Sequence, residues 1–595
     1  MSQVPPPVPA ASQPCQTPPE LALQTWRRAS DPFGMLSSQF QAQVAWWTHP
    51  QQLLHEGFEA WNEAIRLYDH GLRRLLGDDS ADLVVPKRED ERFADPAWLE
   101  SPAFDILKEG FLAFDHRLRT LYNSAPGLSR HEQERAYFWI HNWLNAISPS
   151  NFLWTNPTAL RRAQETGGQS LLEGWNNFTR DLFARNILMV EQDAFQVGRD
   201  LGTTPGQVVF RNPLLELIHY APVTEQVRAM PIVICTPWIN KFYILDLTAR
   251  KSLVKYLTEQ GFSVFITSWK NPDASMSEVG FDDYLQDGVA EAVRVAREFC
   301  NVPQVHLAGY CIGGTLVSSY MAWASKRYSA EQMPVAHWTL LTTLTDFSEP
   351  GEIGVFIDED ILCTLDDMMA RKGYLDGSEM AASFRLLRSN GLIWHYWVHS
   401  YLLGEPLPAF DVLFWNMDTT RMPRAMHSFY LRNMYLKNIL KEPGGLTLGG
   451  VPIDIRKVKT PCYFVSAIED HIAPWLSTYM GVHLPSGPVN FVLGGSGHIA
   501  GIVNPPVGNK YCYWTNPELP ATAQEWFDGA TQNEGSWWPN WEQWVEAIND
   551  KKVAARVPGE GPLKAIEDAP GSFVKMRADA KKPAAKAKAK AKAAK

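Results

Sequence analysis

The sequence has few cysteines, and none of them is spaced as a metal site or a redox-active disulfide would need. Its 595 residues contain seven cysteines, and no two of them form a Cys-X-X-Cys pair. Such pairs are typical of zinc sites and thiol–disulfide centres. We therefore expect neither a zinc site nor a disulfide framework, and the composition favours a reducing compartment such as the cytoplasm.

Long apolar runs are also missing. A membrane-spanning helix needs about 20 consecutive apolar residues, and no stretch of the sequence comes close to that length. This absence predicts a protein that is soluble or bound to a surface. Residues 1–20 are rich in Pro, Gln and Ser and lack the charged and apolar regions of a signal peptide. We expect residues 1–20 to form a disordered N-terminus.

Acidic residues are absent from the last fifteen positions. Residues 581–595 are almost wholly Lys and Ala, with seven lysines, so the net charge of −10 divides into about +7 here and about −17 elsewhere. Such blocks are usually solvated, and we predict a disordered basic tail over residues 566–595. A second interpretation is that the lysines bind nucleic acid, since they neutralise phosphate without reading its sequence.

Helical periodicity dominates the first third of the chain. Large apolar residues recur mostly three or four positions apart between residues 46 and 68. They are Trp46, Trp47, Leu53, Leu54, Phe58, Trp61, Ile65 and Tyr68. This spacing predicts a mainly helical N-terminal domain over residues 21–200, and we expect its aromatic stripes to face a core. We find no catalytic constellation in this part.

A glycine-rich turn joins an apolar strand to a helix at residues 305–315. Cys311 stands at its centre, in the pattern Gly309-Tyr310-Cys311-Ile312-Gly313. Side chains at the two glycines would collide with neighbouring backbone, so the pattern predicts a sharp turn that presents Cys311. This is the nucleophile elbow of α/β-hydrolases, with Cys in place of Ser.

Two later segments supply an acid and a base. Residues 462–471 form an apolar run that leads to Asp470, and residues 489–498 form another that ends in a Gly-rich loop with His498. The order nucleophile, acid, base is that of α/β-hydrolases and differs from the chymotrypsin and subtilisin orders. Each residue alone has an ordinary structural explanation, but the three in this order predict a catalytic triad.

Strands and helices alternate from about residue 201 onward. Residues 231–235 and 262–266 predict strands, and residues 247–260 between them predict a helix. This alternation predicts a parallel sheet, and with the elbow it predicts an α/β-hydrolase-type catalytic domain over residues 201–565. The gap before Asp470 is longer than one crossover needs, so we expect an inserted cap subdomain at about residues 342–440. Above the sheet edge, we predict the backbone N–H groups of Trp238 and Ile312 as oxyanion donors.

The elbow, with Gly314 after it, resembles that of the polyhydroxyalkanoate synthases, the bacterial enzymes that polymerise 3-hydroxyacyl-CoA. Further blocks between about residues 94 and 541 resemble the same family. They are residues 95–98, 148–152, 155–157, 237–247, 268–273, 411–416, 429–432, 469–475 and 497–498. The extent of this resemblance, together with Cys at the elbow, indicates the class I, single-subunit type.

The resemblance implies an acyltransferase that polymerises (R)-3-hydroxyacyl-CoA, with 3-hydroxybutyryl-CoA favoured, into polyhydroxyalkanoate and releases CoA. His498 would take the proton of Cys311, and the thiolate would attack the substrate thioester. Asp470 would help to activate the 3-hydroxyl group, either directly or through His498, and both alternatives stay open. His471 is expected to be structural. We expect no cofactor and no metal, because CoA enters as the substrate carrier.

The resemblance also implies a homodimer at the surface of cytoplasmic poly(3-hydroxybutyrate) granules, with granule-associated proteins as partners of the helical half. Two other classes are open. A cysteine-elbow hydrolase or thioesterase would share the triad but needs neither the helical half nor the long cap. A noncatalytic granule or DNA scaffold would leave the triad unexplained.

Overall fold

A computed structural model describes residues 30–78, 81–87, 90–184 and 186–577. The predicted disordered N-terminus, residues 1–20, lies outside the described residues. So does most of the predicted basic tail, from residue 578 onward.

Helices make up most of the described part of the N-terminal region. The six longer ones are α1 (Met35–Trp47), α2 (Pro50–Leu75), α3 (Pro102–Asn123), α4 (Arg130–Ala146), α5 (Pro157–Glu165) and α6 (Gln169–Ala184). Proline begins three of them, where its missing N–H costs nothing, and Ser129 caps α4 in a capping box with Glu132. Within the described ranges, no helix combines the length and apolar composition that crossing a bilayer requires.

The expectation that the aromatic stripe of this region faces a core is wrong for α2. Trp46 is buried, but along α2 seven apolar side chains spaced alternately four and three apart are 45–75% exposed. They are Leu54, Phe58, Trp61, Ile65, Tyr68, Leu72 and Leu75, which we call the apolar seam. Periodicity shows that a helix has an apolar face, but not what covers that face.

A mixed sheet of eleven strands follows in the described residues. Its strands in chain order are β1 (Gly206–Arg211), β2 (Leu215–Tyr220), β3 (Ile232–Cys235), β4 (Val264–Trp269), β5 (Val305–Tyr310), β6 (Val335–Leu341), β7 (Cys462–Ala467), β8 (Val489–Gly494), β9 (Cys512–Thr515), β10 (Thr531–Glu534) and β11 (Glu567–Asp568). In space the order is β10-β9-β8-β7-β6-β5-β3-β4-β2-β1-β11. The six strands β3 to β8 are parallel, and antiparallel strands extend both edges.

Every residue of β5 is buried, as expected for a central parallel strand with helices on both faces. The α-helices of this part with six or more residues are α7 (Leu253–Glu259), α8 (Glu291–Cys300), α9 (Ile312–Arg327), α10 (Glu359–Lys372), α11 (Gly377–Leu387), α12 (Asp411–Met417), α13 (Arg424–Tyr430), α14 (Trp475–Met480), α15 (Ala523–Asp528) and α16 (Trp538–Ile548). The predicted helix at residues 247–260 is shorter than expected, because a two-stranded ribbon of Asp246–Thr248 and Lys251–Ser252 precedes α7.

The long connection between β6 and β7 carries α10 to α13 and three π-helical segments, Asn390–Trp394, Trp397–Leu402 and Leu431–Leu436. It covers the range where the sequence predicts a cap, residues 342–440, and we call that range the cap. The N-terminal helices pack against it. The Tyr401 hydroxyl donates to Asp181 at 2.7 Å, and the Trp397 indole N–H donates to a backbone carbonyl at 2.9 Å.

The predicted boundary of the basic tail at residue 566 is wrong. Strand β11 pairs with β1 at the sheet edge, and Val574 is buried. The buried ammonium of Lys241 donates to the carbonyl oxygens of Val574 at 2.8 Å and Met576 at 2.6 Å. The ordered part therefore extends at least to residue 577. The sequence could not predict this ordered segment, because a two-residue strand and backbone carbonyl acceptors produce no periodic pattern of side chains.

Candidate active site

Cys311 lies in the turn between β5 and α9, at the C-terminal end of the parallel strands. Its φ of 54° and ψ of −125° form a conformation that residues with a side chain rarely adopt. Hydrogen bonds hold this turn. The Cys311 N–H donates to the Leu341 carbonyl at 2.9 Å, and its carbonyl accepts from the Gly314 N–H at 2.9 Å and the Thr343 hydroxyl at 3.3 Å. The side chain is half-buried.

The glycines beside Cys311 have no room for a side chain. A Cβ atom at Gly309 would lie 2.5 Å from the Cα of Gly314, and one at Gly313 would lie 2.5 Å from the Cys235 carbonyl oxygen. Both obstacles are backbone atoms, which cannot move without shifting a strand or the turn. The prediction that side chains here would collide with neighbouring backbone is confirmed.

We expect Gly313→Ala to destabilise the protein by about 1–3 kcal/mol, because the added methyl group overpacks against backbone. The apparent melting temperature measures this effect. The control is Gly57→Ala in α2, where no atom lies within 4 Å of the new Cβ. Alanine is favoured over glycine inside a helix by about 0.5–1 kcal/mol, so this control should melt no lower than the parent. A Gly313→Ala chain that melts with the parent would contradict the packing argument.

His498 and Asp470 meet beyond the C-terminal ends of β8 and β7. The His498 Nδ1 atom lies 2.7 Å from Asp470 Oδ2, and both residues are buried. The other carboxylate oxygen, Oδ1, accepts from the N–H groups of Ile472 at 2.8 Å and Ala473 at 3.0 Å. Both oxygens are therefore in use, and the carboxylate is fixed in its orientation toward the imidazole.

The environment of His498 favours its protonated form. Burial alone would lower the pKa of its imidazole, but the charges of Asp470 and Cys311, with hydrogen bonds to both, raise this pKa well above 6.5. The three predicted triad residues are thus brought together, although they lie far apart in the sequence. Their catalytic roles stay predictions.

Tyr310 is a residue of this site that the sequence analysis missed. Its hydroxyl donates to the carbonyl oxygen of His498 at 3.1 Å, and its ring stacks on the imidazole with centroids 5.6 Å apart and planes at 23°. The tyrosine, as the last residue of β5 and the neighbour of Cys311, therefore supports the histidine. The sequence shows Tyr310 only as the variable position of the elbow, and no local pattern indicates a partner 188 positions away.

The two predicted oxyanion donors lie on neighbouring segments. Ile312 is the first residue of α9, so its N–H has no acceptor within the helix. Trp238 follows β3, which pairs with β5 directly before the elbow. The Trp238 carbonyl accepts from the Thr420 hydroxyl of the cap at 2.7 Å, and its ring is buried in an aromatic cluster. The donor role of the two N–H groups stays a prediction.

Residues of the cap lie next to Cys311. Burial raises the pKa of the Tyr435 hydroxyl, and the nearby charges of Cys311 and Asp470 raise it further. Tyr430 is buried, which raises the pKa of its hydroxyl, and the charge of Cys311 raises that pKa further. His471 is held neutral, because burial and then the charge of Arg388 lower its pKa to about 4. Tyr430 and Tyr435 therefore lie close to Cys311 on the side of the cap.

One acidic cluster of the described residues has the spacing of a metal site. Asp82, Asp105 and Glu109 lie together in the N-terminal region, remote from Cys311 in the sequence. Arg74 and Lys108 already form salt bridges with its carboxylates at 2.7–3.1 Å. These side chains supply the positive charge that a metal ion would bring, and we assign the cluster a structural role.

Two family models match the chain. The model described as "Poly-beta-hydroxybutyrate polymerase (PhaC) N-terminus" matches residues 89–257, and the alpha/beta hydrolase fold matches residues 231–505. The second match confirms the predicted fold class, and the first covers most of the helical region.

Curated relatives match over most of the chain. The chain is 40% identical over 538 residues to the poly(3-hydroxyalkanoate) polymerase of Methylorubrum extorquens. This alignment covers 90% of this chain and 88% of that protein. It is 39% identical over 539 residues to the poly(3-hydroxyalkanoate) polymerase subunit PhaC of Rhizobium meliloti, an alignment that covers 90% of this chain and 87% of that subunit. The corresponding PhaC subunit of Cupriavidus necator is 41% identical over 513 residues, and the alignment covers 85% of this chain and 86% of that subunit.

Proposed function

The chain belongs to the poly(3-hydroxyalkanoate) polymerase family, and we propose that it polymerises (R)-3-hydroxyacyl-CoA through a thioester on Cys311. As a member of this family it is a transferase that synthesises polyhydroxyalkanoate. The finer proposal, with 3-hydroxybutyryl-CoA as the favoured substrate, is supported above all by one observation. A strained cysteine and a His498–Asp470 pair 2.7 Å apart share one sheet edge.

In the first step, the Cys311 thiolate attacks the thioester carbonyl of the substrate. The N–H groups of Trp238 and Ile312 would stabilise the oxyanion. As the intermediate collapses, the carbon–sulfur bond to CoA breaks and the His498 imidazolium protonates the leaving sulfur. One thioester replaces another, so the acyl group stays activated. An ester to serine would lose much of that activation, which is a physical reason for cysteine at this elbow.

Acylation also changes the state of His498. The charge of Cys311 is one of the influences that raise the pKa of the imidazole, and acylation removes that charge. The pKa of His498 then falls, and after it has given its proton to CoA the imidazole can accept the proton of a 3-hydroxyl group. The hydroxyl oxygen attacks the acyl carbonyl, the bond to the Cys311 sulfur breaks, and an ester forms.

Asp470 then acts through His498 in our proposal, and not directly on the hydroxyl group. Both of its oxygens already accept hydrogen bonds, one from His498 and the other from two backbone N–H groups. A direct role would require the carboxylate to give up one of these partners. Its charge instead stabilises the imidazolium that forms in each half of the cycle.

The competing function is that of a cysteine hydrolase or thioesterase with the same triad. Purified chain incubated with (R)-3-hydroxybutyryl-CoA separates the two. We expect CoA release together with insoluble polyester. Release of CoA together with free 3-hydroxybutyrate, and no polymer, would favour the hydrolase and contradict our proposal.

We further propose that the apolar seam of α2 holds the chain on the surface of its polyester granules. A helix of 26 residues is about 39 Å long, and the seam keeps large aromatic and aliphatic groups exposed along that length. An exposed apolar stripe of this size indicates an interaction site. A polyester surface is extended and apolar, as the seam is.

Replacing Phe58 and Trp61 by glutamine should lower binding to preformed poly(3-hydroxybutyrate) granules at least about tenfold, because it removes two of the three aromatic rings of the seam. Cosedimentation measures this binding. Gln52→Ala with Arg66→Gln, on the polar part of the same helix, is the matched control and should bind as the parent does. If the seam variant binds granules fully but changes its oligomeric state in light scattering, the seam is a dimer contact and not a granule contact.

A further inference from the structure

A cleft separates the helical N-terminal region from the cap. It consists of two cavities of about 710 Å³ and about 760 Å³, which we call the inner and the outer cavity. Tyr137 and His141 of α4 line both of them, and the two rings stack with centroids 6.1 Å apart. The two cavities therefore adjoin this pair of rings, and α4 forms part of the wall of each.

The inner cavity lies next to the candidate active site, because side chains that line it are neighbours of Cys311 and Asp470. Phe347 and Tyr435 line it, with ring centroids 4.9 Å apart. Tyr435 lies close enough to Cys311 and Asp470 for their charges to act on its hydroxyl. Pro474, in the loop that follows Asp470, also lines this cavity. The inner cavity thus lies between the surroundings of Cys311 and the N-terminal helices.

The outer cavity carries polar groups without partners. Three buried atoms in its lining have no hydrogen-bond partner within the described part of the chain, namely Arg92 Nη1, His141 Nδ1 and Asn390 Oδ1. Arg92 binds Asp90 through its Nε and Nη2 atoms at 2.8 Å, which leaves Nη1 unused. Buried polar groups are rarely left unpaired in a folded protein unless a ligand or water serves them.

The protonation of His141 follows from its neighbour. The Asn145 side-chain N–H donates to His141 Nε2 at 3.0 Å, so in the neutral imidazole the proton lies on Nδ1. The free Nδ1 is therefore a hydrogen-bond donor, like the free edge of Arg92. Two unused donors and one unused acceptor thus line the same cavity.

The charges of the outer cavity favour an anion. Most of the acidic side chains in its lining are neutralised by arginines, in the pairs Asp90–Arg92, Asp95–Arg161 and Asp115–Arg119. Arg388, by contrast, forms no salt bridge with any carboxylate of the described residues. Arginine is the residue best suited to bind phosphate. The inner cavity instead carries Glu352. Burial raises the pKa of its carboxyl group, and the charge of Arg388 lowers that pKa by less.

We propose that the outer cavity binds the phosphate-bearing nucleotide end of the CoA substrate, and that the inner cavity holds the arm between the nucleotide and the thioester. The helical N-terminal region then forms one wall of the substrate site. Each cavity has the volume of a ligand pocket, and Trp394 in the outer lining offers a ring to the adenine base. This inference rests on the function proposed above, since it concerns the same acyl-CoA.

Another occupant would leave a different signature. A growing polyester chain offers ester carbonyl oxygens to these donors but carries no charge, so it would not compensate the positive charge of Arg388. It would fill the cleft equally well whether or not the incoming acyl group carries a nucleotide. Two acyl donors that differ only in the nucleotide therefore distinguish these occupants.

Gly391→Trp tests the proposal. Gly391 lines the outer cavity, and no heavy atom lies within 4 Å of a Cβ built there, so an indole should enter the cavity without displacing backbone. We compare KM for (R)-3-hydroxybutyryl-CoA with KM for the corresponding pantetheine thioester, which keeps the arm and lacks only the nucleotide. The ratio of the two KM values should rise at least about tenfold relative to the parent, because only the CoA donor needs the filled space.

The matched control is Gly57→Trp, which is also an open glycine position in a helix but lies outside both cavities. It should leave the KM ratio at the parent value. Calorimetric titration of free CoA into the Cys311→Ala chain, with and without Gly391→Trp, measures binding without turnover. The added indole should raise the Kd of CoA at least about tenfold.

The outcomes separate the inference from the function on which it rests. If the parent chain forms no polymer from either donor, the proposed function fails. If the parent forms polymer, and Gly391→Trp leaves both the KM ratio and the Kd of CoA unchanged, the cleft does not bind the nucleotide. If the variant slows both donors equally and shortens the polymer, the cleft carries the polyester and our inference is overturned.

Discussion

Cys311→Ala should abolish both CoA release and polymer formation from (R)-3-hydroxybutyryl-CoA, with a loss of about 10⁴-fold or more. Without the sulfur no covalent thioester forms, and the oxyanion donors alone support only slow reaction with water. CoA release can be followed with a thiol reagent, and polymer can be followed by turbidity. The strained backbone at this position is held by hydrogen bonds of the main chain, so the substitution should not unfold the turn.

The matched control for this variant is Cys363→Ala. Cys363 is also half-buried but belongs to α10 of the cap, and it has no place in the proposed mechanism. It should retain the parent rate. A Cys311→Ala chain that still forms polymer would show that another nucleophile carries the growing chain, and the proposed mechanism would have to be abandoned.

Asp470→Asn should lower kcat by about 10⁴-fold, the size of effect that the loss of the acid has in other catalytic triads. The asparagine oxygen can still accept from Ile472 and Ala473, so its NH₂ group would face His498 Nδ1. That contact forces the imidazole proton onto the other nitrogen, which is the wrong one for taking a proton from Cys311. The lost charge also removes one of the influences that raise the pKa of His498.

Rapid mixing distinguishes the two roles that the sequence leaves open for Asp470. If the acid acts through His498, Asp470→Asn should slow both the first burst of CoA and later chain growth. If it acts only on the hydroxyl group, the burst would keep its parent rate while chain growth is lost, and that result would contradict our proposal.

The same pair predicts a pH dependence of stability. The pKa of His498 is raised in the folded protein, so the stability contributed by its protonated form is fully present below about pH 6.5. That contribution is lost as the pH rises through the higher folded pKa. Asp470→Asn should reduce this loss. Apparent melting temperatures of the two chains across the pH range measure it.

Local patterns in the sequence were sufficient for the central features of the fold and the candidate site. The elbow follows from two glycines and a cysteine, because backbone at 2.5 Å excludes any side chain there. The parallel strands follow from short apolar runs that alternate with helices. The order of Cys311, Asp470 and His498 predicts that they belong to one edge, since the carboxyl ends of parallel strands meet there. The family resemblance is confirmed by relatives near 40% identity.

Contacts between distant segments were decided only by the tertiary structure. Tyr310 supports His498 across 188 positions, and no periodicity links them. Strand β11 is two residues long and is held by its backbone, so composition placed it in the tail. The apolar face of α2 could be predicted, but its exposure could not, because exposure depends on which other elements pack nearby.

The cleft between α4 and the cap shows the same limit most clearly. Arg92, His141 and Asn390 come from segments up to about 300 positions apart, and none of them belongs to a local pattern that predicts a binding site. The elbow, the strands and the order of the three candidate residues could be predicted from the sequence, because they depend on sterics and burial among near neighbours. The convergence of the remaining polar groups could not be predicted, because it depends on how whole helices pack against one another.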